Sequence, residues 1–242
     1  SRRWKLYQCL VSEQRLDGKL HVLMEGQWFA VTDTLVDAVD SYCAHLSSSP
    51  VSLPVSTKAE KEGDYNERFA NTDPDHLLML DAKIKRPGGA SSGIEVCDVL
   101  TSDREFIHVK RKSRSSTLSH LFAQGSISAE TFVGDGEFRD KIRAEIQKSV
   151  ATDRQEQWLE LVPSGGQEVV RSSYTVSYAV ITPAKEGSSW LPFFSKLNLM
   201  QHGKRLENTL GMNVTMSRID VSDSGGGGAD GDVEAASACA EE

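Results

Sequence analysis

Apolar and polar residues alternate over the first thirty positions, and two X-Gly pairs, Asp17-Gly18 and Glu25-Gly26, interrupt the alternation. A period of two broken by such pairs predicts strands joined by tight turns. Residues 4–11, 19–24 and 27–31 therefore read as a three-stranded β-meander. The period then lengthens. Leu35, Val36, Val39 and Cys43 recur at helical spacing behind Asp33 or Thr34 as cap, which predicts a helix to about residue 45. The Ser- and Pro-rich SSSPVSLPVST that follows predicts an irregular linker over 47–58. It separates an N-terminal unit, 1–46, from a larger core, 59–220.

In the core a short helix at 65–70 precedes an apolar strand at 77–85 that ends in Pro87-Gly88-Gly89. Strands at 94–101 and 106–111 follow. Ser115 or Ser116 can cap a helix with Leu118, Leu121 and Phe122 on one face, ended by Gly125. Helices at 137–150 and 153–161, a strand at 173–182, a loop and helix within 191–210 and a strand at 212–219 complete the order αβββαααβαβ. That order predicts an α+β fold, a mixed β-sheet flanked by helices. Residues 221–242 are Ser, Gly, Asp, Ala and Glu with almost no large apolar side chain, the composition of a disordered acidic tail.

A hydrophobic content of 38% with 26% charged residues excludes a largely disordered chain. There is neither an apolar run of spanning length nor a charged head with an apolar stretch at the start, so a cytoplasmic protein with no membrane partner is expected. Cys9, Cys43, Cys97 and Cys239 are scattered without CxxC spacing and read as reduced thiols, not a zinc or disulfide frame. The chain opens on Ser1 and runs directly into a strand-like segment, so a fragment of a longer protein is expected. The net charge of -8 argues against nucleic acid until it is located: seven of the 35 acids lie beyond Arg218 with no base among them, leaving 28 against 27 bases. Local basic clusters then decide the electrostatics.

Strand alternation places Ile94, Val96, Asp98 and Leu100 on one face, and Phe106, His108 and Lys110 on one face of the next strand. Where those faces coincide, Asp98 and Lys110 meet. A carboxylate there can hold Mg²⁺ through oxygen, while the ammonium stabilises charge building on a phosphate. The competing reading is a strand-edge salt bridge. Lys110, Arg111, Lys112 and Arg114 fall in one five-residue window able to hold phosphates, or to form a solvated turn. His120 and Gln124, four apart, share a helix face away from Leu118, Leu121 and Phe122, and a plain polar surface is their alternative. Trp28, Trp158 and Trp190 read as core or interface anchors.

With Glu67 on the first helix of this core, Asp98 on the middle strand, His108-x-Lys110 and then Gln124, the order resembles the PD-(D/E)xK nuclease superfamily over residues 65–130. The resemblance implies a restriction-endonuclease-like core. It implies Glu67 and Asp98 as ligands for Mg²⁺ or Mn²⁺, Lys110 as catalytic lysine and Gln124 as phosphate or water contact. Asp81, two residues before Lys83, is a second candidate acid. Where that pattern has Glu or Asp, this chain has His108, which can ligate a metal but brings no negative charge.

The segments YNERF, IEVCDVL, HVKRKSRSSTLSHLFAQGSISAE and LPFFSKLNL resemble a sporadically distributed family of uncharacterised bacterial proteins, which implies a phage-defence or mobile-element setting and no assigned activity. His108-x-Lys110 and His202-Gly203-Lys204 are also similar to the HxKxxxxD site of phospholipase D enzymes, but Ser115 and Thr209 stand where the acid belongs. Two functions follow as expectations. One is a metal-dependent nuclease acting on nucleic acid, DNA ahead of RNA. The other is an inactive nucleic-acid-binding or scaffold module of the same fold, with an oligomer or partner proteins conceivable for either.

Overall fold

The computed structural model describes residues 10–80, 83–84, 93–113, 115–183 and 190–222. The N-terminal meander is β1 (Ser12–Leu16), β2 (Lys19–Met24) and β3 (Gln27–Ala30), all antiparallel. The strand expected at 4–11 lies, apart from Leu10 and Val11, outside the described residues, and the strand that pairs with β2 is Ser12–Leu16. Asp17 and Gly18 take positive φ of 48° and 78°, and this two-residue turn pairs Leu16 with Lys19, so the residues that face β2 are 12–16. Residues 1–9 lie outside the described residues. Helix α1 (Asp33–His45) packs Val36 and Val39 on Leu20 and Val22 of β2 and on Phe193 and Met200.

The core is one five-stranded sheet in the order β11-β10-β9-β8-β5. Helix α2 (Glu62–Ala70) precedes β5 (Leu77–Met79), which is antiparallel to β8 (Val99–Thr101), itself antiparallel to β9 (Glu105–Arg111). Helices α3 (Ser115–Gly134), α4 (Gly136–Ser149) and α5 (Thr152–Glu160) then return the chain to β10 (Thr175–Ile181), parallel to β9. Helix α6 (Phe193–Lys204) and a π-helical turn (Arg205–Leu210) lead to β11 (Asn213–Ile219), parallel to β10. The fold is α+β with mixed sheets, as the element order predicts. Central strands β9 and β10 are buried on both faces, which is why FIHV and VSYAVI run almost unbroken in apolar residues.

Three spans differ from the sequence reading. The strand expected at 77–85 is β5 and a separate piece, β6 (Lys83–Ile84), paired with β7 (Ile94–Glu95). The strand expected at 94–101 is broken between β7 and β8 at Val96–Cys97–Asp98. Helix α3 runs through Gly125 for 20 residues instead of ending there. Gly125 is a packing position: a Cβ on it would lie 2.6 Å from Cε1 of Tyr178.

On one side of the sheet Phe106, Val176, Tyr178 and Val180 pack under α3 and α4, with Phe122, Phe132 and Phe138. On the other, Ile107, Val109, Ala179 and Ile181 pack under Tyr65 and Phe69 of α2. Residues 47–57 lie across this second face. Met216 N donates to Ser47 O, Ser49 N to Ser217 Oγ and Ser56 N to Asp220 O, and β4 (Ser56–Thr57) pairs with β12 (Val221–Ser222). Val51 and Leu53 join the apolar cluster. Among the described residues no helix is long and apolar enough to cross a membrane.

Candidate functional site

The β8–β9 ladder stops where Val99 faces Ile107. Beyond it the chain bends away from the pleat at Asp98, and β9 continues past its partner strand. Its next two edge-facing amides, at Val109 and Arg111, need acceptors. Side chains supply them: Asp98 Oδ2 accepts from Val109 N at 2.7 Å, and Glu62 Oε2 accepts from Arg111 N at 3.0 Å. Two carboxylates thus stand at successive edge positions of β9, about 7 Å apart along the strand by its rise per residue.

Each carboxylate has a second partner. Asn66 Nδ2 donates to Asp98 Oδ1 at 2.9 Å, and Lys110 Nζ meets Glu62 Oε1 at 2.5 Å. Glu62 and Asn66 are one turn apart on α2 and share the face of Tyr65 and Phe69, which buries against the sheet. Glu67 lies about 140° around the helix from Glu62 and is exposed. The acid that α2 brings to β9 is therefore Glu62, not Glu67. Both it and Asn66 could have been found by noting which polar residues fall on the apolar face of the helix. Among the described residues the buried Oδ1 of Asn66 has no hydrogen-bond partner.

The remaining candidates separate. His108 shares the face of Phe106, as alternation predicts, but that face is core: it is 1% exposed, lies 6.2 Å from the Tyr178 ring by centroids, and among the described residues neither ring nitrogen has a hydrogen-bond partner. Burial pushes its pKa down to about 4. Gln124 donates from Nε2 to Glu95 Oε2. His120 is exposed on α3. The Arg111 guanidinium donates to Ser56 Oγ, Thr57 O and Glu60 O, and Lys112 Nζ donates to Trp190 O at 2.6 Å. Much of the basic window is thus turned inward onto carbonyls. Asp81 and Arg114 lie outside the described residues. Among the described residues no three His, Cys, Asp or Glu side chains gather as a metal centre would require.

The arrangement that results is a lip at the open end of the β8–β9 hairpin, covered by α2, in which Asn66 meets Asp98 and, one helical turn away, Glu62 meets Lys110. The Lys110–Glu62 pair is 27% and 31% exposed, within reach of a ligand. A family model described as a family of unknown function, DUF6119, matches residues 1–220. No curated protein and no solved structure matches the chain.

Proposed function

We propose, for a chain that belongs to this family of unknown function, that the lip beneath α2 is a phosphodiester site of nuclease type acting on nucleic acid, DNA ahead of RNA. In it Lys110 presents its ammonium to a phosphate and Asp98 is the central carboxylate. The observation that carries the reading is the juxtaposition at β9: Asp98 is fixed on Val109 N, one residue from Lys110, at a half-exposed strand end. The order of a helix, the antiparallel sheet strands β5, β8 and β9, three helices and the parallel strand β10 supports it, since it brings both residues to one end of the hairpin. So does Asn66, whose N–H holds Asp98 from rotating.

Lys110 would stabilise the charge that develops on the phosphate oxygens, an electrostatic contribution of about a hundredfold or more in rate. Mg²⁺ or Mn²⁺ is the ion this chemistry would use, supplying Lewis acidity and an activated water. Asp98 would be its first ligand, with Glu67 and Asp81 as the further candidates. The described residues do not make a cage for it, because Glu67 faces away from Asp98 and Glu62 is bonded to Lys110 and Arg111 N.

The test is cleavage of labelled DNA and RNA with Mg²⁺ or Mn²⁺. The wild-type protein should cut, and Asp98→Ala or Lys110→Ala should reduce the rate about a hundredfold or more. Equal cutting by these variants rejects the assignment.

A second reading, a nucleic-acid-binding module without cleavage, is favoured by one observation: both oxygens of Asp98 already accept N–H groups, which leaves less of the carboxylate for a metal. Calorimetric titration with Mn²⁺ separates the two. Heat of binding that vanishes in Asp98→Ala supports the enzyme, and salt-sensitive DNA binding with no metal heat supports the module.

A further inference from the structure

The two oxygens of Glu62 fill two different donors of β9, the Lys110 ammonium at 2.5 Å and the Arg111 backbone N–H at 3.0 Å. An ammonium and a backbone N–H side by side, met by one bidentate oxyanion, are the parts of an anion site. Two oxygens of a phosphate have nearly the bite of a carboxylate and would satisfy the same pair of donors. The Arg111 guanidinium stands at the same strand end and, among the described residues, donates to neutral oxygens, those of Ser56, Thr57 and Glu60. Its charge adds to the pull on an anion there.

We propose that Lys110 Nζ and the Arg111 N–H form a binding site for one phosphate of a polyanion, and that Glu62 is its internal occupant, displaced when the phosphate enters. The proposal rests on the reading of Lys110 as a phosphate-facing residue. It adds that the resting site is closed by its own carboxylate. Exchange is open to solvent because neither side chain is buried: Lys110 is 27% and Glu62 31% exposed, so an incoming phosphate can reach both donors. Asp98, by contrast, is tied on both oxygens and stays in place.

The experiment measures binding of a short fluorescein-labelled DNA duplex by the whole chain, by anisotropy across a salt series, with inorganic phosphate as competitor. Glu62→Gln should bind about tenfold more tightly than wild type, and the slope of log affinity on log salt should steepen by about one phosphate contact. Adding Lys110→Ala to Glu62→Gln should cancel both changes. Should Glu62→Gln not fold, Glu62→Ala, which also removes the carboxylate, gives the same readout. Unchanged or weaker binding by the folded Glu62 variant, or a gain that survives loss of Lys110, overturns the proposal. Cleavage read in the same samples keeps the two ideas apart. Tighter binding without cutting by any variant upholds the phosphate site and sinks the hydrolytic reading. Cutting by wild type with no binding gain in Glu62→Gln upholds the hydrolytic reading and sinks the internal occupant.

Discussion

A histidine whose ring nitrogens find no hydrogen-bond partner among the described residues, sealed in a packed core, can be charged only at the expense of the fold. Burial holds the pKa of His108 at about 4, against about 6.5 in an unfolded chain. Between those values the unfolded state binds the extra proton, so stability is fully present above about pH 6.5 and is lost as the pH falls toward 4. The loss from this one group amounts to about 3 kcal/mol at most. Glu105 acts in the opposite sense: burial raises its carboxyl pKa, which favours the folded state at low pH. The effect of His108 is therefore read as a difference. His108→Phe should flatten the decline between pH 7 and pH 4 in urea denaturation, and an unchanged decline would show that His108 does not cause it. At this scale much was legible in the sequence. Alternation groups His108 with Phe106 correctly, and helical spacing groups Glu62 and Asn66 with Tyr65 and Phe69. What alternation does not contain is which face of the sheet α3 covers, so His108 could not be told from a ligand by pattern alone.

Elements are read well where they hold one period and poorly where they leave it. Strand β9 and helices α4 and α5 fall within a residue or two of expectation. The strand expected at 94–101 does not, because the bend at Asp98 turns its carboxylate off the pleat and onto the edge amide of Val109. The same bend creates the candidate site, and no periodicity marks it. Gly125 shows the converse error. Glycine weakens a helix and often ends one, yet here α3 continues because the missing Cβ lets the helix approach Tyr178, whose hydroxyl donates to Phe122 O at 3.0 Å. Gly125→Ala should clash with a fully buried ring and lower stability by about 1–3 kcal/mol, seen as a fall in thermal midpoint. Tyr178→Leu in the Gly125→Ala background should recover part of it. Equal midpoints for wild type and Gly125→Ala would mean that the contact does not limit packing.

Over the whole molecule, the segment that composition marks as a linker is held against the second face of the sheet by hydrogen bonds that Ser47 O accepts and the backbone N–H groups of Ser49 and Ser56 donate. Ser49 Oγ also donates to the buried carboxylate of Glu105 at 3.0 Å, which Thr215 Oγ1 meets at 3.2 Å. Ser and Pro forecast the lack of helix or long strand there. They carry no signal for such docking, since its partners lie far along the chain: Met216 and Ser217 on β11, Asp220 just past it and Glu105 on β9. The same strap positions α2: Tyr65 Oη donates to Pro54 O at 3.0 Å, and Glu60, held below the usual carboxylate range at about 2 chiefly by its bond to Arg68, accepts from Ser56. Strap, α2 and β9 together place Glu62 and Asn66 over Lys110 and Asp98. The claim that this lip handles a phosphodiester is tested most directly by the single-turnover rate at which saturating protein cuts a labelled DNA duplex in Mn²⁺, wild type against Lys110→Ala. A rate about a hundredfold lower in the variant at saturation would bear the claim out, whereas equal rates, or no cutting by wild type at all, would contradict it.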